Sequence, residues 1–482
     1  MLVLLFRVLI TQLLYGCDMV YRKEMPMKTV IMAGGRGTRI SELFPDIPKP
    51  LIPVQALDSE TNRIISRPVL EWELRSLVKQ GYDDFIITVG YKAQQIIDYF
   101  SDGKELGCKI EYFVEQIPLG NAGALFKLRK KLVEPFLLLN ADAVFDIDFD
   151  RFIGFHRKCQ GEGGLVTLFT HPNSHPYDSG LVVTDERNAV VQWLTKEDSR
   201  PDYYNNRVNA GLHVLDPSVL DMTADRMNID PEEIGKEKDG KTLKIDLDRH
   251  ILKPLCGSGL MFAYSSPEYV KDMGTPERFI QVQDDYRSGV VNGRNLRHKQ
   301  RAVFLDRDGT INVYKGFLRK TEDFELIDGV AEAIKRINRS GYLAIVVTNQ
   351  PVIARGEVTV DELQMIHRRM ETLLGKEGAY IDGLYYCPHH PDGGFSGEIQ
   401  ELKIKCECRK PAPGMLLRAA SDYNISLQDS WMIGDGRYDI EAGKNAGCKT
   451  ALIGEGEYGQ TLTAHSLLEA VDSVLSHNHD LE

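Results

Sequence analysis

Short apolar runs alternate with helical patterns along most of the chain. The first runs lie at Lys28–Ala33, Phe85–Val89, Ile110–Val114 and Phe136–Leu139. Runs of this length without regular polar positions are typical of buried strands in a parallel sheet. A second series of the same kind begins at Ala302–Leu305 and continues at Leu343–Val347 and Trp431–Ile433. The pattern predicts two α/β domains in tandem.

The segment between the two series predicts a linker. Residues 288–300 are polar, basic and glycine-containing, and they have no apolar period. We therefore expect one domain at 27–287, a linker at 288–300 and a second domain at 301–482. A chain of 482 residues is long enough for this division, because single cores rarely grow beyond about 250–300 residues.

Residues 1–26 predict an extension outside the first domain. Their apolar run is interrupted by Arg7, lacks the basic start of a signal peptide and is too short to span a bilayer. Met25 or Met27 directly precedes the first strand, so we interpret the segment as disordered or as a misassigned start. Membrane attachment through this segment is the alternative hypothesis, although we expect no stable membrane insertion.

Composition narrows the classes of partner. A formal net charge of -12 argues against nucleic-acid binding, which needs clustered Lys and Arg, but a local pocket can still take small anions. The eight cysteines do not form a dense secreted framework, so we expect a cytoplasmic protein. The sequence leaves homo-oligomerisation open.

A glycine-rich turn follows the first strand. Gly34, Gly35 and Gly37 would let backbone N–H groups approach a phosphate that a Cβ would keep away, and Arg36 and Arg39 add positive charge. Downstream, the prolines at 48 and 50 hold Lys49 on an extended segment that could reach the same phosphate. A tight connection is the alternative interpretation for the glycine turn alone.

Together, GGRGTR and PKPLIPV resemble the signature of the sugar-phosphate nucleotidyltransferases. This family joins a sugar 1-phosphate to a nucleoside triphosphate and releases pyrophosphate. Further motifs follow in the family's order at 115–125 (EQIPLGNAGAL), 140–142 (NAD), 209–211 (NAG) and 272–276 (DMGTP). The resemblance covers about residues 27–285 and implies a Rossmann-like domain with a mixed sheet and helices on both faces.

The resemblance also implies roles for individual residues. Arg39 and Lys49 would hold the triphosphate and stabilise charge at the α-phosphorus. The nucleotide would be bound by Gly34, Gly35, Arg36, Gly37, Thr38 and Gly120. Asp142 and Asp272 would hold one Mg²⁺. Lys196 would contact the sugar phosphate, and Asn209 and Gly211 the sugar. Taken singly, Asp142 could be a turn or capping residue and Lys196 a solvated charge.

Two carboxylates stand at the end of the first strand of the second series. Asp306 and Asp308 lie on the same side of an extended segment, because side chains alternate with period two. The run resembles the nucleophile motif of the haloacid dehalogenase superfamily, whose other motifs are matched in order by Thr348 with Asn349, by Lys410, and by Asp435 with Asp439. A Rossmann-like phosphatase domain is therefore expected.

By this resemblance, Asp306 would attack phosphorus and Asp308 would protonate the leaving oxygen and then activate water. Mg²⁺ would be held by Asp306, the Asp308 backbone carbonyl and Asp435, with Asp439 behind them. The phosphoryl oxygens would be bound by Thr348, Asn349, Arg409 and Lys410.

Two close pairs of metal-ligand residues lie in the second domain. The pairs have the composition of a Cys₃His structural zinc site and consist of Cys387 with His389 and Cys406 with Cys408. His390 is a weaker ligand candidate than His389. Such a Zn²⁺ would fix the loop that delivers Arg409 and Lys410. Free thiols are the alternative for any one cysteine.

The cysteine pattern, with TNQ at 348–350 and IARG at 353–356, resembles the phosphatases of D-glycero-D-manno-heptose 1,7-bisphosphate and the related histidinol phosphatases. Pro351 and Val352 depart from that pattern. The two resemblances imply a bifunctional enzyme that removes the 7-phosphate and then transfers a nucleotidyl group, from GTP, to heptose 1-phosphate. Alternatives are a hexose-1-phosphate transferase joined to a histidinol-phosphate or other small-molecule phosphatase, or a half that acts only as a binding scaffold.

Overall fold

The structure is a computed structural model that describes residues 27–476 except 36, 38, 59, 60, 62, 196, 239 and 240. The prediction about residues 1–26 lies outside the described residues. Within them, no helix has both the length and the apolar character needed to cross a membrane.

The N-terminal half, residues 27–287, is built on a nine-stranded mixed sheet. Its strands run in the order β10-β9-β11-β6-β1-β4-β5, with β8 paired to β11 and β14 paired to β8. Its strands and small hairpins are β1 (Thr29–Ala33), β2 (Pro53–Asp58), β3 (Arg63–Pro68), β4 (Asp84–Val89), β5 (Lys109–Val114), β6 (Phe136–Asn140), β7 (Ala143–Asp146), β8 (Val166–His171), β9 (Leu181–Thr184), β10 (Val190–Leu194), β11 (Val208–Leu215), β12 (Glu237–Lys238), β13 (Lys241–Thr242), β14 (Met261–Ser265) and β15 (Tyr269–Asp272).

The C-terminal half, residues 301–476, has a six-stranded sheet in the order β18-β17-β16-β19-β20-β21. Every strand pair in it is parallel. The strands are β16 (Arg301–Leu305), β17 (Tyr342–Asn349), β18 (Gly383–Cys387), β19 (Trp431–Gly434), β20 (Lys449–Ile453) and β21 (Leu462–Ala464).

Helices cover both faces of each sheet, as the alternating pattern predicts. The α-helices of the N-terminal half and the connection are Val69–Lys79, Ala93–Phe100, Gly123–Lys127, Phe149–Gln160, Ser218–Met227, Pro276–Arg287 and Val290–Gly293. Those of the C-terminal half are Val330–Asn338, Val360–Lys376, Gly414–Asp422, Arg437–Ala446 and Leu467–Ser476.

Alternate side chains of the central strands enter different cores, because successive residues of a strand point to opposite faces. In β16, Val303 and Leu305 join one buried cluster, while Ala302 and Phe304 join the other. The strand is therefore apolar on both faces, which explains its continuous apolar sequence. The α/β class predicted for both halves is confirmed.

The connecting segment 288–300 differs from a solvated spacer. It contains the helix Val290–Gly293, and Arg294, Asn295 and Leu296 are buried. The backbone N–H of Leu296 donates to Glu268, and Arg294 pairs with Asp382 of the C-terminal half. Polar groups of the segment predicted as a linker thus make buried contacts with both halves.

A second contact joins the halves through the helix Val360–Lys376. The backbone N–H of Tyr204 donates to the Thr372 hydroxyl at 2.9 Å, and that of Asn206 donates to the Glu371 carboxylate at 2.7 Å. Since these groups are buried, the N-terminal half obtains partners for its backbone from the C-terminal half.

Candidate active sites

The predicted nucleotide residues surround one cavity of about 800 Å³ at the carboxyl ends of the parallel strands. We call it the glycine-loop cavity. Its lining includes Gly34, Gly35, Gly37, Arg39, Lys49, Gly120 and Asp142. Arg36 and Thr38, which were predicted to bind here, lie outside the described residues, and so does Lys196.

Glycine is required at position 120 of this cavity. Gly120 has a φ of +85°, and a Cβ there would lie 2.2 Å from the carbonyl oxygen of Ile245. At Gly34 the neighbour is instead the Glu115 carboxylate, 3.5 Å from where a Cβ would stand. Gly120 therefore allows a close approach of two backbone segments at the rim of the cavity.

Lys49 and Asp142, 93 residues apart in sequence, form an ion pair with Nζ and Oδ2 separated by 2.9 Å. The lysine side chain is 10% exposed and the aspartate 43%. Behind them lies Glu73, which is almost fully buried, and burial together with the Asp142 charge raises its pKa well above the usual value. The sequence analysis missed Glu73, because a glutamate inside a helical pattern looks like an exposed residue.

Asp272 is brought next to Asp142 by the pairing of β15 with β7. In that register Asp272 lies opposite Ala143, and the Met273 N–H donates to the Asp142 carbonyl at 3.2 Å. Burial opposes ionisation of Asp272, but two hydrogen bonds from Arg278 outweigh it and lower its pKa. Both predicted Mg²⁺ ligands thus lie on neighbouring backbone segments and line one cavity, and carboxylate oxygens are the donors that Mg²⁺ prefers, so their metal binding stays a prediction.

The predicted sugar-binding residues line a second cavity of about 490 Å³, which we call the inter-half cavity. Asn209 and Gly211 lie on β11, where the strand register shifts. Gly211 has a φ of +76°, and a Cβ there would lie 2.6 Å from Asn140 Nδ2. Arg39 and Asp142 line both cavities, so the two meet at the predicted site of nucleotidyl transfer.

The second site lies where β16, β17 and β19 end side by side. This order places Asp306, Thr348 and Asp435 at one edge of the parallel sheet. Lys410 Nζ lies 2.6 Å from Asp306 Oδ1 and 2.6 Å from Asp439 Oδ1, and all three side chains are largely buried. Burial disfavours the lysine charge, but the two carboxylates raise the pKa of Lys410, so the ammonium stays protonated.

Asp308 is held by four hydrogen bonds. Arg307 donates to Oδ1 at 3.0 Å and to Oδ2 at 2.8 Å, Asn312 to Oδ1 at 3.1 Å and Gln350 to Oδ2 at 2.9 Å. The Arg307 side chain is fully buried. These donors fix the orientation of the predicted acid, and sequence reasoning missed Arg307 because it stands between two motif aspartates.

Two residues predicted to bind the phosphoryl group have protein partners. Asn349 donates to the Lys410 carbonyl at 3.1 Å and accepts from the Lys410 N–H at 3.0 Å, so it positions the lysine backbone. Arg409 donates to the carbonyl of His389 at 3.3 Å. Phosphate binding by these two side chains stays a prediction.

Asp306, Asp435 and Asp439 offer oxygens that lie within 4.8 Å of one another. Burial and neighbouring carboxylates raise the pKa of Asp306 to about 7, even though Lys410 opposes the shift. Burial and the charge of Asp306 raise the pKa of Asp435 to about 6. Asp306 and Asp439 are buried and Asp435 is exposed, and a group of carboxylates of this kind fits Mg²⁺, whose charge would favour the ionised forms.

The four predicted zinc ligands converge. Cys387, His389, Cys406 and Cys408 offer ligand atoms that all lie within 4.8 Å of one another. Cys408 Sγ lies 3.2 Å from Cys387 Sγ and 3.3 Å from Cys406 Sγ, and none of the three cysteines is in a disulfide. This donor set fits a four-coordinate structural zinc ion.

The chain matches known families over both halves. The sequence model described as nucleotidyl transferase matches residues 28–289, and the one described as HAD-hydrolase-like matches residues 407–480. The D-glycero-beta-D-manno-heptose-1,7-bisphosphate 7-phosphatase of Haemophilus ducreyi is 41% identical over 184 residues, which are 36% of this chain and 98% of that protein. The protein of the same name from Salmonella typhi is 41% identical over 180 residues, 37% of this chain and 92% of the relative.

A crystal structure of HddC from Yersinia pseudotuberculosis matches 54% of this chain and 100% of its own, at 21% identity and a TM-score of 0.41. The two sequence models and the phosphatase relatives decide the classification. The chain belongs to the nucleotidyl transferase family through its N-terminal half and to the HAD-like phosphatases through its C-terminal half, and it is an enzyme that joins these two activities.

Proposed function

We propose that the protein hydrolyses the 7-phosphate of a heptose 1,7-bisphosphate and then transfers a nucleotidyl group to the resulting heptose 1-phosphate. The observation that carries the proposal is the 41% identity of the C-terminal half to heptose bisphosphate 7-phosphatases over 98% of the length of one of them. The product of that hydrolysis is a sugar 1-phosphate, the class of acceptor that the nucleotidyl transferase half would use.

For the phosphatase, we propose that Asp306 attacks phosphorus while Asp308 donates a proton to the leaving oxygen and later accepts one from water. Lys410 contacts Asp306, and its ammonium would balance the charge of the phosphoryl group that Asp306 accepts. When bound by Asp306, Asp435 and the Asp308 carbonyl, Mg²⁺ would reduce the repulsion between the nucleophile and the phosphate.

For the transferase, we propose that the glycine-loop cavity holds the nucleoside triphosphate. Arg39 and Lys49 would bind its phosphates, and Asp142 with Asp272 would hold a Mg²⁺ that neutralises the charge there. The sugar would lie against Asn209 and Gly211 in the inter-half cavity, because the two cavities meet at Arg39 and Asp142. We propose GTP as the donor because the heptose pathways that the resemblance points to use it.

One mass-spectrometric assay tests the proposal. The purified protein receives Mg²⁺, heptose 1,7-bisphosphate and equal amounts of GTP, ATP, CTP and UTP, and we expect GDP-heptose and free phosphate. If phosphate is released but no nucleotide sugar forms, heptose 1-phosphate is not the acceptor of the transferase. If a heptose linked to another nucleotide forms, GTP is not the donor. If histidinol phosphate is hydrolysed faster than heptose 1,7-bisphosphate, the heptose assignment is wrong.

Two variants assign the activities to the halves. We expect Asp306→Asn to abolish phosphate release while transfer to supplied heptose 1-phosphate continues. We expect Lys49→Ala to abolish transfer while hydrolysis continues. Each variant is the control for the other, and unchanged turnover in either one would reject that residue's role.

A further inference from the structure

The inter-half cavity is lined by both halves of the chain. Asn209, Gly211 and Asp272 line it from the N-terminal half. The C-terminal half contributes Lys335, Asn338, Arg339, Gly378, Tyr380 and Asp382. Its volume of about 490 Å³ lies within the range of about 300–1,000 Å³ that is common for small-molecule sites. Residues of both halves therefore line the cavity in which we propose that the acceptor sugar binds.

The phosphatase half also supports a loop that lines this cavity. The loop between β8 and β9 contributes several lining residues between 172 and 180. Pro176 of this loop packs so closely on the helix Val360–Lys376 that a Cβ at Gly375 would lie 2.6 Å from Pro176 Cγ. Contacts of this closeness hold the two walls of the cavity in a fixed relation.

The cations that line the cavity differ in what they already bind. Lys271 pairs with Asp285 at 2.9 Å, Arg278 with Asp272 at 2.6 Å and Arg294 with Asp382 at 3.1 Å. Lys335 has a partly exposed partner, Glu332, at 3.0 Å. Among the described residues, the Arg339 guanidinium has no hydrogen-bond or ion-pair partner, so its donors are available to a ligand.

The position of these cations indicates which part of the acceptor they would meet. The inter-half cavity joins the glycine-loop cavity at Arg39 and Asp142, where the proposed function places the reaction of the sugar's 1-phosphate. Lys335 and Arg339 line only the inter-half cavity, on the wall that the other half provides. A sugar whose phosphate points to the reaction centre directs its opposite end towards that wall.

We propose that Lys335 and Arg339 donate hydrogen bonds to the hydroxyl oxygens at the end of the acceptor sugar that is remote from its 1-phosphate. Lys and Arg only donate, and sugar hydroxyl oxygens accept. This gives the phosphatase half a second role, as the part of the transferase that selects a long acceptor. The inference rests on the proposed function for the identity of that acceptor, a heptose 1-phosphate.

The test compares acceptor KM values for wild type, Lys335→Ala and Arg339→Ala. We expect each variant to raise KM for heptose 1-phosphate about tenfold, the effect of losing a hydrogen bond from a charged donor. For mannose 1-phosphate, which lacks C7, the increase should be smaller. KM for the nucleoside triphosphate and the hydrolysis of p-nitrophenyl phosphate should not change.

Arg336→Ala is the matched control. Arg336 lies on the same helix, pairs with Glu332 and Asp472, and does not line the cavity. We expect it to leave both acceptor KM values unchanged. If Arg339→Ala and Lys335→Ala change KM for heptose 1-phosphate by less than about twofold relative to this control, the proposal is overturned.

Failure of the proposed function gives a different result. If wild type uses a hexose 1-phosphate and not heptose 1-phosphate, the heptose assignment falls, and the same variants are compared on that hexose. A raised KM would still support a composite acceptor pocket, and an unchanged one would reject it.

Calorimetric titration with heptose 1-phosphate makes the same comparison without turnover, and equal affinity in wild type and Arg339→Ala would reject the contact.

Discussion

Arg294 Nη1 lies 3.1 Å from Asp382 Oδ1, and the two side chains are only 5% and 0% exposed. Arg294 also donates to the carbonyls of Asn338 and Tyr342, and Asp382 accepts from the Ala344 N–H at 2.8 Å. The pair therefore fastens the connection between the halves to the sheet of the C-terminal half. Removing one member of a buried pair leaves the other charge without compensation.

We expect Arg294→Met to lower the free energy of unfolding by about 3–5 kcal/mol, because Asp382 would remain buried and unpaired. Urea denaturation followed by circular dichroism measures this. Arg187→Met is the control, since this arginine is 71% exposed and its partner Asp185 is 34% exposed, and it should cost less than about 1 kcal/mol. Adding Asp382→Asn to Arg294→Met should restore part of the loss, and equal effects of the two arginine variants would contradict the prediction.

Because Glu268 is a buried carboxyl group, we predict that the free energy of unfolding depends on pH. Its Oε1 accepts from the N–H groups of Asp148 and Leu296, its Oε2 accepts from Ser266, and burial raises its pKa to about 7. Between the ordinary pKa of about 4.3 and this value, the folded protein holds a proton that the unfolded chain has lost. This contribution is complete at low pH and is lost as pH rises through about 7.

In Glu268→Gln the amide oxygen can still accept from the Asp148 and Leu296 N–H groups, the amide nitrogen donates towards Ser266 instead of accepting from it, and the titration is removed. We therefore expect wild type to lose stability relative to this variant between pH 5 and pH 8, on the order of 2–3 kcal/mol. Denaturant unfolding at several pH values measures the difference. Parallel pH profiles for the two proteins would show that Glu268 does not titrate in this range.

Cys408→Ser should remove zinc from the purified protein, because three ligands hold the ion far less tightly than four. Phosphatase activity should fall as well, since Lys410 lies only two residues after Cys408 and must reach Asp306. Elemental analysis and phosphate release measure the two effects. Cys448→Ser is the control, a buried cysteine outside the cluster that should keep zinc and activity. Zinc retained at the wild-type level in Cys408→Ser would contradict the zinc site.

Gly375→Val should disturb the contact between the halves. Its side chain would meet Pro176, and overpacking of this kind costs about 1–3 kcal/mol. We expect a lower unfolding temperature and a higher KM for the sugar phosphate, measured by calorimetry and by transferase kinetics. The exposed neighbour Lys376 provides the control Lys376→Val. Equal unfolding temperatures and equal KM values for the two variants would contradict the prediction.

Sequence patterns predicted the two α/β halves because a strand buried on both faces must be apolar throughout. Val303 and Phe304 follow this rule, and their neighbouring strands do too. Motifs with short spacing were also readable. Cys406 and Cys408, or Asp306 and Asp308, lie so close in sequence that the backbone alone keeps them near one another.

Contacts between distant segments were decided only by the tertiary structure. Nothing local in the sequence indicates that Glu73 lies behind Asp142, that Gln350 donates to Asp308, or that Arg294 pairs with Asp382. A polar residue looks the same in sequence whether water or a buried partner satisfies it. The sequence by itself therefore predicted the two α/β folds and their motifs, whereas the packing of the halves decided that residues from both of them line one cavity.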